Sequence, residues 1–224
     1  GPITVNASTG SQTVSFSLTS RLPGPSISAT SFANAASGQP GMAPCGLVTI
    51  SGAGIAPGIQ NVVPVYLYVD GSLPLAWQGV EVLIENTAAP ILQVGNVNGI
   101  EFVTIQAPCE LAAPSTVNVT VRVKGGNTSV SGVQVMRAQP GIFETTPMSP
   151  SERSYAILHR PDGTAITLSS PALRGEILKM YVTGLGLVSP AASTNKAGVS
   201  GQTVAASLIA GVNDEGTRIV SAEY

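Results

Sequence analysis

Apolar and polar side chains alternate with a period of two along short runs of this chain. Residues 13–19 place Val14, Phe16 and Leu18 on one face and hydroxyls on the other. Residues 116–123 do the same with Val117, Val119, Val121 and Val123. That run ends at Lys124-Gly125-Gly126-Asn127, after which Val130, Val133 and Val135 resume, which predicts a hairpin. The same pattern predicts strands over residues 47–51, 65–69, 80–84, 100–106, 155–159, 176–183, 203–208 and 218–221. Turn signals separate them: Asp70-Gly71, Asn98-Gly99, Asp162-Gly163 and Asp214-Glu215-Gly216. No stretch of a dozen residues carries helical apolar spacing free of glycine or proline. Many short strands punctuated by turns predict an all-β fold of sandwich or barrel type.

The turn and proline positions divide the chain into three parts. Residues 1–25 read as an N-terminal hairpin and linker left from an upstream repeat. Two strands flank Ser8-Thr9-Gly10-Ser11, and Arg21-Leu22-Pro23-Gly24-Pro25 follows as a stiff connector. Residues 26–138 hold about seven strands, enough for one immunoglobulin-like sandwich. Gln139-Pro140-Gly141 marks the next boundary. Residues 139–224 supply about four or five strands where a complete sandwich needs about seven, so the second domain is expected to be truncated. The predicted architecture is tandem immunoglobulin-like β-sandwich domains, the second incomplete.

Composition removes several functions. Charged residues are 10% of the chain and the formal net charge is −2. Ten lysines and arginines with no basic run cannot build a phosphate-neutralising surface, so no nucleic-acid partner is expected. One histidine and two cysteines exclude zinc-finger, multi-histidine and iron–sulfur sites, and no cofactor or metal is expected. Apolar stretches break on glycine, proline or a charge well before the ~18 residues a spanning helix needs, so no membrane insertion is expected. Gly1-Pro2 looks like the remnant of a protease cut, and no basic-then-apolar export signal opens the chain.

Two groups of motifs carry a resemblance. Asn34-Ala35-Ala36-Ser37-Gly38-Gln39-Pro40-Gly41 is followed by Ala43-Pro44 and by residues 47–52. Then come Gly79-Val80-Glu81-Val82, Ala88-Ala89-Pro90-Ile91-Leu92, Pro108-Cys109-Glu110-Leu111 and Pro140-Gly141-Ile142-Phe143. Asp162-Gly163-Thr164, Arg174-Gly175-Glu176 and residues 181–186 complete the series. In this order, over residues 29–224, the chain resembles the Solibacter-type uncharacterised C-terminal domain of acidobacterial secreted proteins. Its first half is also similar to the immunoglobulin-like domains called IPT or TIG. The resemblance implies a β-rich, extracellular or cell-surface module with no activity to carry over residue by residue. The chain departs from that pattern at Cys45 and Cys109, where the family usually has no cysteine, and it stops where the family normally continues.

Cys45 precedes one predicted strand and Cys109 follows another, so the two meet if those strand ends are neighbours. In the oxidising compartment the resemblance implies, a disulfide is the favoured reading over two buried thiols. Tyr66 and Tyr68 share a strand face, and with Trp77 they are the clustered aromatic supply. Exposed, they would stack on a sugar or contact a protein; packed inward, they belong to a core. His159 and Asp162 invite a hydrolase triad, yet the stretch reads as a strand entering a Pro-Asp-Gly turn, and no nucleophile elbow is present. Glu81 and Glu85 lie on one strand face and are read as wet-face charges rather than a glycosidase pair. Gly184-Leu185-Gly186 is read as a tight turn, and Lys179 as a solvated edge residue. No catalytic residues are assigned.

The resulting expectation is a non-enzymatic extracellular structural or adhesive module of a larger secreted or cell-surface protein. Its partner would be another protein or a polysaccharide, or a strand that completes the open second domain. The alternatives are a carbohydrate-binding module appended to a secreted hydrolase and a strand-exchange assembly unit.

Overall fold

A computed structural model describes residues 2–19, 24–65, 71–146, 153–212 and 215–224. Its first element is a ribbon of β1 (Pro2–Thr9) and β2 (Gln12–Thr19), joined antiparallel in register Ile3↔Leu18 to Thr9↔Gln12. The sandwich follows, built from β3 (Phe32–Asn34), β4 (Leu47–Ser51), β5 (Asn61–Pro64), β6 (Ala76–Trp77), β7 (Val80–Ile84), β8 (Thr87–Ala88), β9 (Ile91–Val97), β10 (Ile100–Gln106), β11 (Ser115–Val123) and β12 (Gly126–Val135). One sheet runs β3-β4-β10-β9-β5; the other runs β12-β11-β7-β6, with β8 on β7.

Alternation becomes burial in these strands. In β7, Val80, Val82 and Ile84 point inward while Glu81 and Leu83 are less buried. In β11, Val117, Val119 and Val121 do the same. They meet Phe32, Val48, Ile50, Val94, Val103 and Ile105 of the facing sheet in a single apolar core. The protein is therefore an all-β sandwich over this region. Asn98 and Gly99, both at positive φ, close the β9–β10 hairpin, and Lys124-Gly125 closes β11–β12, as their turn chemistry predicts. Residues 131 and 132 bulge opposite Asn118, with Gly132 at φ +77°.

Strand β9 is absent from the sequence expectation, because Gly95 interrupts its pattern. The ring of Phe102, cross-strand from Gly95, covers the gap a side chain would fill; an added Cβ would lie 2.6 Å from that ring. Of the strand expected over residues 65–69, Val65 alone is described, and its N–H donates to the Leu92 carbonyl at 2.8 Å.

Residues 139–224 are also all-β, with much shorter strands than the alternation predicts. β13 (Gly141–Ile142) pairs with β16 (Val182–Thr183), and β14 (Leu158–His159) with β15 (Lys179–Met180). β17 (Val188–Ser189) pairs with β18 (Thr203–Val204), and β19 (Ala210–Val212) with β20 (Glu215–Thr217). Residues 218–221, expected as a strand, lie outside any strand. Val188 is the one buried hydrophobic side chain among the described residues of this part, whereas Leu168 and Ile209 stand in solvent. Among the described residues these strands form only two-stranded ribbons, so alternation has no broad inner side to extend along.

Candidate functional site

The C-terminal segment is held to one end of the sandwich at two polar nodes. The first is built on the cysteines. β4 and β10 pair antiparallel with Leu47 opposite Gln106, so the residues just before β4 and just after β10 come together. Cys45 and Cys109 are bonded there, with Cα atoms 4.2 Å apart across a sequence separation of 64. Thr194 reaches this bridge from the C-terminal segment: its Oγ1 accepts from the Cys109 N–H at 2.8 Å and donates to Glu110 Oε2. The Thr194 N–H donates to Glu110 Oε1 at 3.0 Å. Asn195 adds four bonds, one of them from the Ser72 hydroxyl to its carbonyl at 3.3 Å. Its N–H donates to Gln106 Oε1, its Oδ1 accepts from the Leu73 N–H at 2.7 Å, and its Nδ2 donates to the Leu73 carbonyl. Gln106 Nε2 then donates to the Tyr224 hydroxyl at 2.5 Å, which lies 3.9 Å from Cys109 Sγ.

The second node joins three motifs far apart in the chain. Asn34 is 4% exposed. Its Oδ1 accepts from the N–H groups of Ala36 and Ser37, and its Nδ2 donates to the Gln139 carbonyl at 2.6 Å. The Gln139 N–H in turn donates to the Gly184 carbonyl at 2.7 Å. Thr183 Oγ1 accepts from the Leu47 N–H at 2.7 Å. Close backbone approach demands glycine here. A Cβ on Gly141 would sit 2.3 Å from Asn34 Oδ1, and one on Gly184, at φ +76°, would sit 2.1 Å from the Gln139 carbonyl oxygen. Gly184-Leu185-Gly186, expected as a tight turn, carries no turn in the structure and is a docking segment instead. Between the nodes lies a cavity of about 90 Å³ bordered by Cys45, Gly184, Leu185 and Tyr224.

Hydrogen bonding sets the charge state of the first node. The Thr194 hydroxyl, with its N–H, holds the Glu110 carboxyl below the usual glutamate range against a smaller opposing desolvation. Burial pushes the Tyr224 phenol up, offset in part by the Gln106 amide. A carboxyl whose value is depressed on folding stabilises the fold above the ordinary glutamate range and loses that contribution as pH falls through its folded value. The difference in thermal midpoint between the wild type and Glu110→Gln is therefore expected to be largest at neutral pH and to shrink on acidification below that range. A difference independent of pH would remove the carboxylate from the docking.

The remaining sequence candidates fall elsewhere. Tyr66 and Tyr68 lie outside the described residues. Trp77 sits on β6, packs against the core and donates its indole N–H to the Val63 carbonyl at 3.2 Å. His159 is edge-to-face with Tyr181 at 5.4 Å, and its Nδ1 is buried with no hydrogen-bond partner among the described residues. Asp162 instead accepts from the Thr164 N–H at 2.9 Å, closing its own turn. Glu81 pairs with Arg122 at 2.9 Å, and Glu85 accepts from the Asn118 N–H at 2.5 Å. Lys179 Nζ donates to the Pro161 carbonyl at 3.3 Å. An open groove of about 680 Å³ runs beside Glu85 and Glu110. Glu85 accepts from the Asn118 N–H and Glu110 from the Thr194 N–H beside this groove.

Thr194, Asn195 and Tyr224 were not legible as site residues. Each acts across more than 80 positions of sequence, and a short polar loop carries no mark of where it will land. No family model, curated protein or solved structure matches this chain.

Proposed function

We propose that this chain is a non-enzymatic extracellular module, structural or adhesive, within a larger secreted or cell-surface protein. This is the role implied by the resemblance to the Solibacter-type C-terminal domain. The observation that carries the reading is the Cys45–Cys109 bridge at the end where the C-terminal segment docks. Such bonds persist in oxidising compartments, while cytosolic reductants keep thiols free. Low charge, 10% of residues, adds support: it gives little long-range steering of a charged substrate. The partner on this reading is another protein or a polysaccharide. The carbohydrate-binding alternative now leans on Tyr66 and Tyr68, because the Trp77 indole is turned toward Val63.

Fractionating cells that express the natural polypeptide tests the proposal. The protein is expected in the medium or on the cell surface, and the peptide pair containing Cys45 and Cys109 is expected to be linked on non-reducing mass mapping. Recovery from the cell interior with both thiols open to alkylation would overturn it.

A further inference from the structure

The β1–β2 ribbon has one apolar and one polar face, and among the described residues nothing covers the apolar face. Val5 pairs with Phe16 and Ala7 with Val14 on one side; Asn6 pairs with Ser15 and Ser8 with Thr13 on the other. Val5 is 44% exposed, Val14 56% and Phe16 52%. A two-stranded ribbon is marginal in water unless its apolar face packs on something.

The sandwich itself supplies the pattern for what that something is. Thr4-Val5-Asn6-Ala7-Ser8 corresponds to Thr116-Val117-Asn118-Val119-Thr120 at the start of β11. The cross-strand partners correspond as well: Val5↔Phe16 to Val117↔Val133, Ala7↔Val14 to Val119↔Val130, and Ser8↔Thr13 to Thr120↔Ser129. The last of these pairs makes the same hydroxyl–hydroxyl bond in both ribbons, at 2.9 Å for Ser8–Thr13 and 2.8 Å for Thr120–Ser129. Downstream, Pro23-Gly24 stands where Pro140-Gly141 stands, 117 positions apart, the same offset as Leu18 from Val135. Both glycines lie in close approach to the sandwich of residues 26–138, which follows Gly24 and precedes Gly141. A Cβ on Gly24 would be 2.2 Å from the Asn127 carbonyl oxygen, and one on Gly141 would be 2.3 Å from Asn34 Oδ1. The ribbons differ in that Asn6 faces Ser15 alone where Asn118 faces the bulged residues 131 and 132, in side-chain size at Ala7 and Phe16, and in burial. Val117, Val119 and Val133 are at most 6% exposed because the facing sheet covers them, and β11 is joined along its outer edge to β7.

We propose that the apolar face and free edge of β1–β2 form an interaction surface for a second sandwich unit of the kind formed by residues 26–114, carried ahead of this ribbon in the same polypeptide. β1 adds beside that unit's equivalent of β7, and Val5, Ala7, Val14 and Phe16 fill its core. The chain would then be a series of sandwiches, each closed by a hairpin that runs through a Pro-Gly connector into the next.

The test joins residues 26–114 directly to Ile3 of the full chain, recreating the Pro114–Ser115 junction at the ribbon. Amide hydrogen exchange of β1–β2 is read in the extended and parent chains. The expected result is fast exchange in the parent and at least ~100-fold slower exchange in the extended chain, as the ribbon enters a cooperative unit. Val5→Asp should abolish the protection. Phe16→Val, which restores the smaller residue of the equivalent position, tests whether ring bulk alone blocks closure. Ribbon exchange that stays at the parent rate in the extended chain, both with Phe16 and with the Phe16→Val change, overturns the proposal. So does slow, concentration-dependent exchange in the parent, which would show that a second copy of the chain covers the face.

Discussion

Replacing both bridge cysteines, as Cys45→Ala with Cys109→Ala, is expected to lower the unfolding free energy of the sandwich by about 4 kcal/mol. This is the loop-closure contribution of a cross-link spanning some 60 residues. The loop between Cys45 and Cys109, with its separation of 64, encloses β4 to β10, whereas β3, β11 and β12 lie outside it. The bridge therefore restricts the unfolded chain over most of the strands that must pair. Denaturant titration followed by the single tryptophan, Trp77, reads the change, since its ring lies against the core. Alkylation checks the starting state: the denatured, non-reduced chain should take up no iodoacetamide and the reduced chain two equivalents. A midpoint unchanged by the double replacement would show that the bridge constrains nothing the sandwich does not already hold. That result would also weaken the functional reading.

Gly184→Ala is expected to release the C-terminal segment while leaving the sandwich folded. Two costs add at this position. The residue sits at φ +76°, which costs an alanine about 1–2 kcal/mol relative to glycine. Its new Cβ would lie 2.1 Å from the Gln139 carbonyl oxygen and 2.8 Å from Asn34 Nδ2. The nearer atom is backbone and cannot rotate away, so the total should reach about 3 kcal/mol or more. Protection should fall at the Gln139 and Leu47 amides, which donate to the Gly184 carbonyl and Thr183 Oγ1. Amides of β10 and β11 should stay slow, and limited proteolysis should favour residues 139–212. Gly163→Ala is the control: it has φ +90° but nothing within 4 Å of an added Cβ, so it bears the conformational cost alone. Equal effects of the two changes would remove close packing as the cause.

Half of the sandwich strands, β4, β7, β10, β11 and β12, were legible because they obey one local rule, whereas β3, β5, β6, β8 and β9 were not expected. Leu47–Ser51, Val80–Ile84 and Ile100–Gln106 begin and end where alternation places them; the first two bury one face more than the other, whereas Ile100–Gln106 is buried on both faces from Val103 onward. The rule failed where a partner replaced it. Gly95 hides β9 until Phe102 is known to lie across from it. Residues 176–183 alternate as a single strand, but the fold uses Lys179–Met180 and Val182–Thr183 in two different ribbons. The cysteine pairing followed from two strand ends being neighbours. Nothing local foretold that Thr194, Asn195 and Tyr224 would close over the bridge, or that Asn34 would bond Gln139.

The one-dimensional order of side chains determined the strand class, the hairpin turns at Asn98-Gly99 and Lys124-Gly125, and which valines face inward. Each of these depends on neighbours a few residues away. Tertiary structure decided which strand ends meet, which glycines must lack a side chain, and which apolar face is left uncovered. Those outcomes depend on contacts between segments a hundred residues apart, set by how closely two backbones approach once the core has formed.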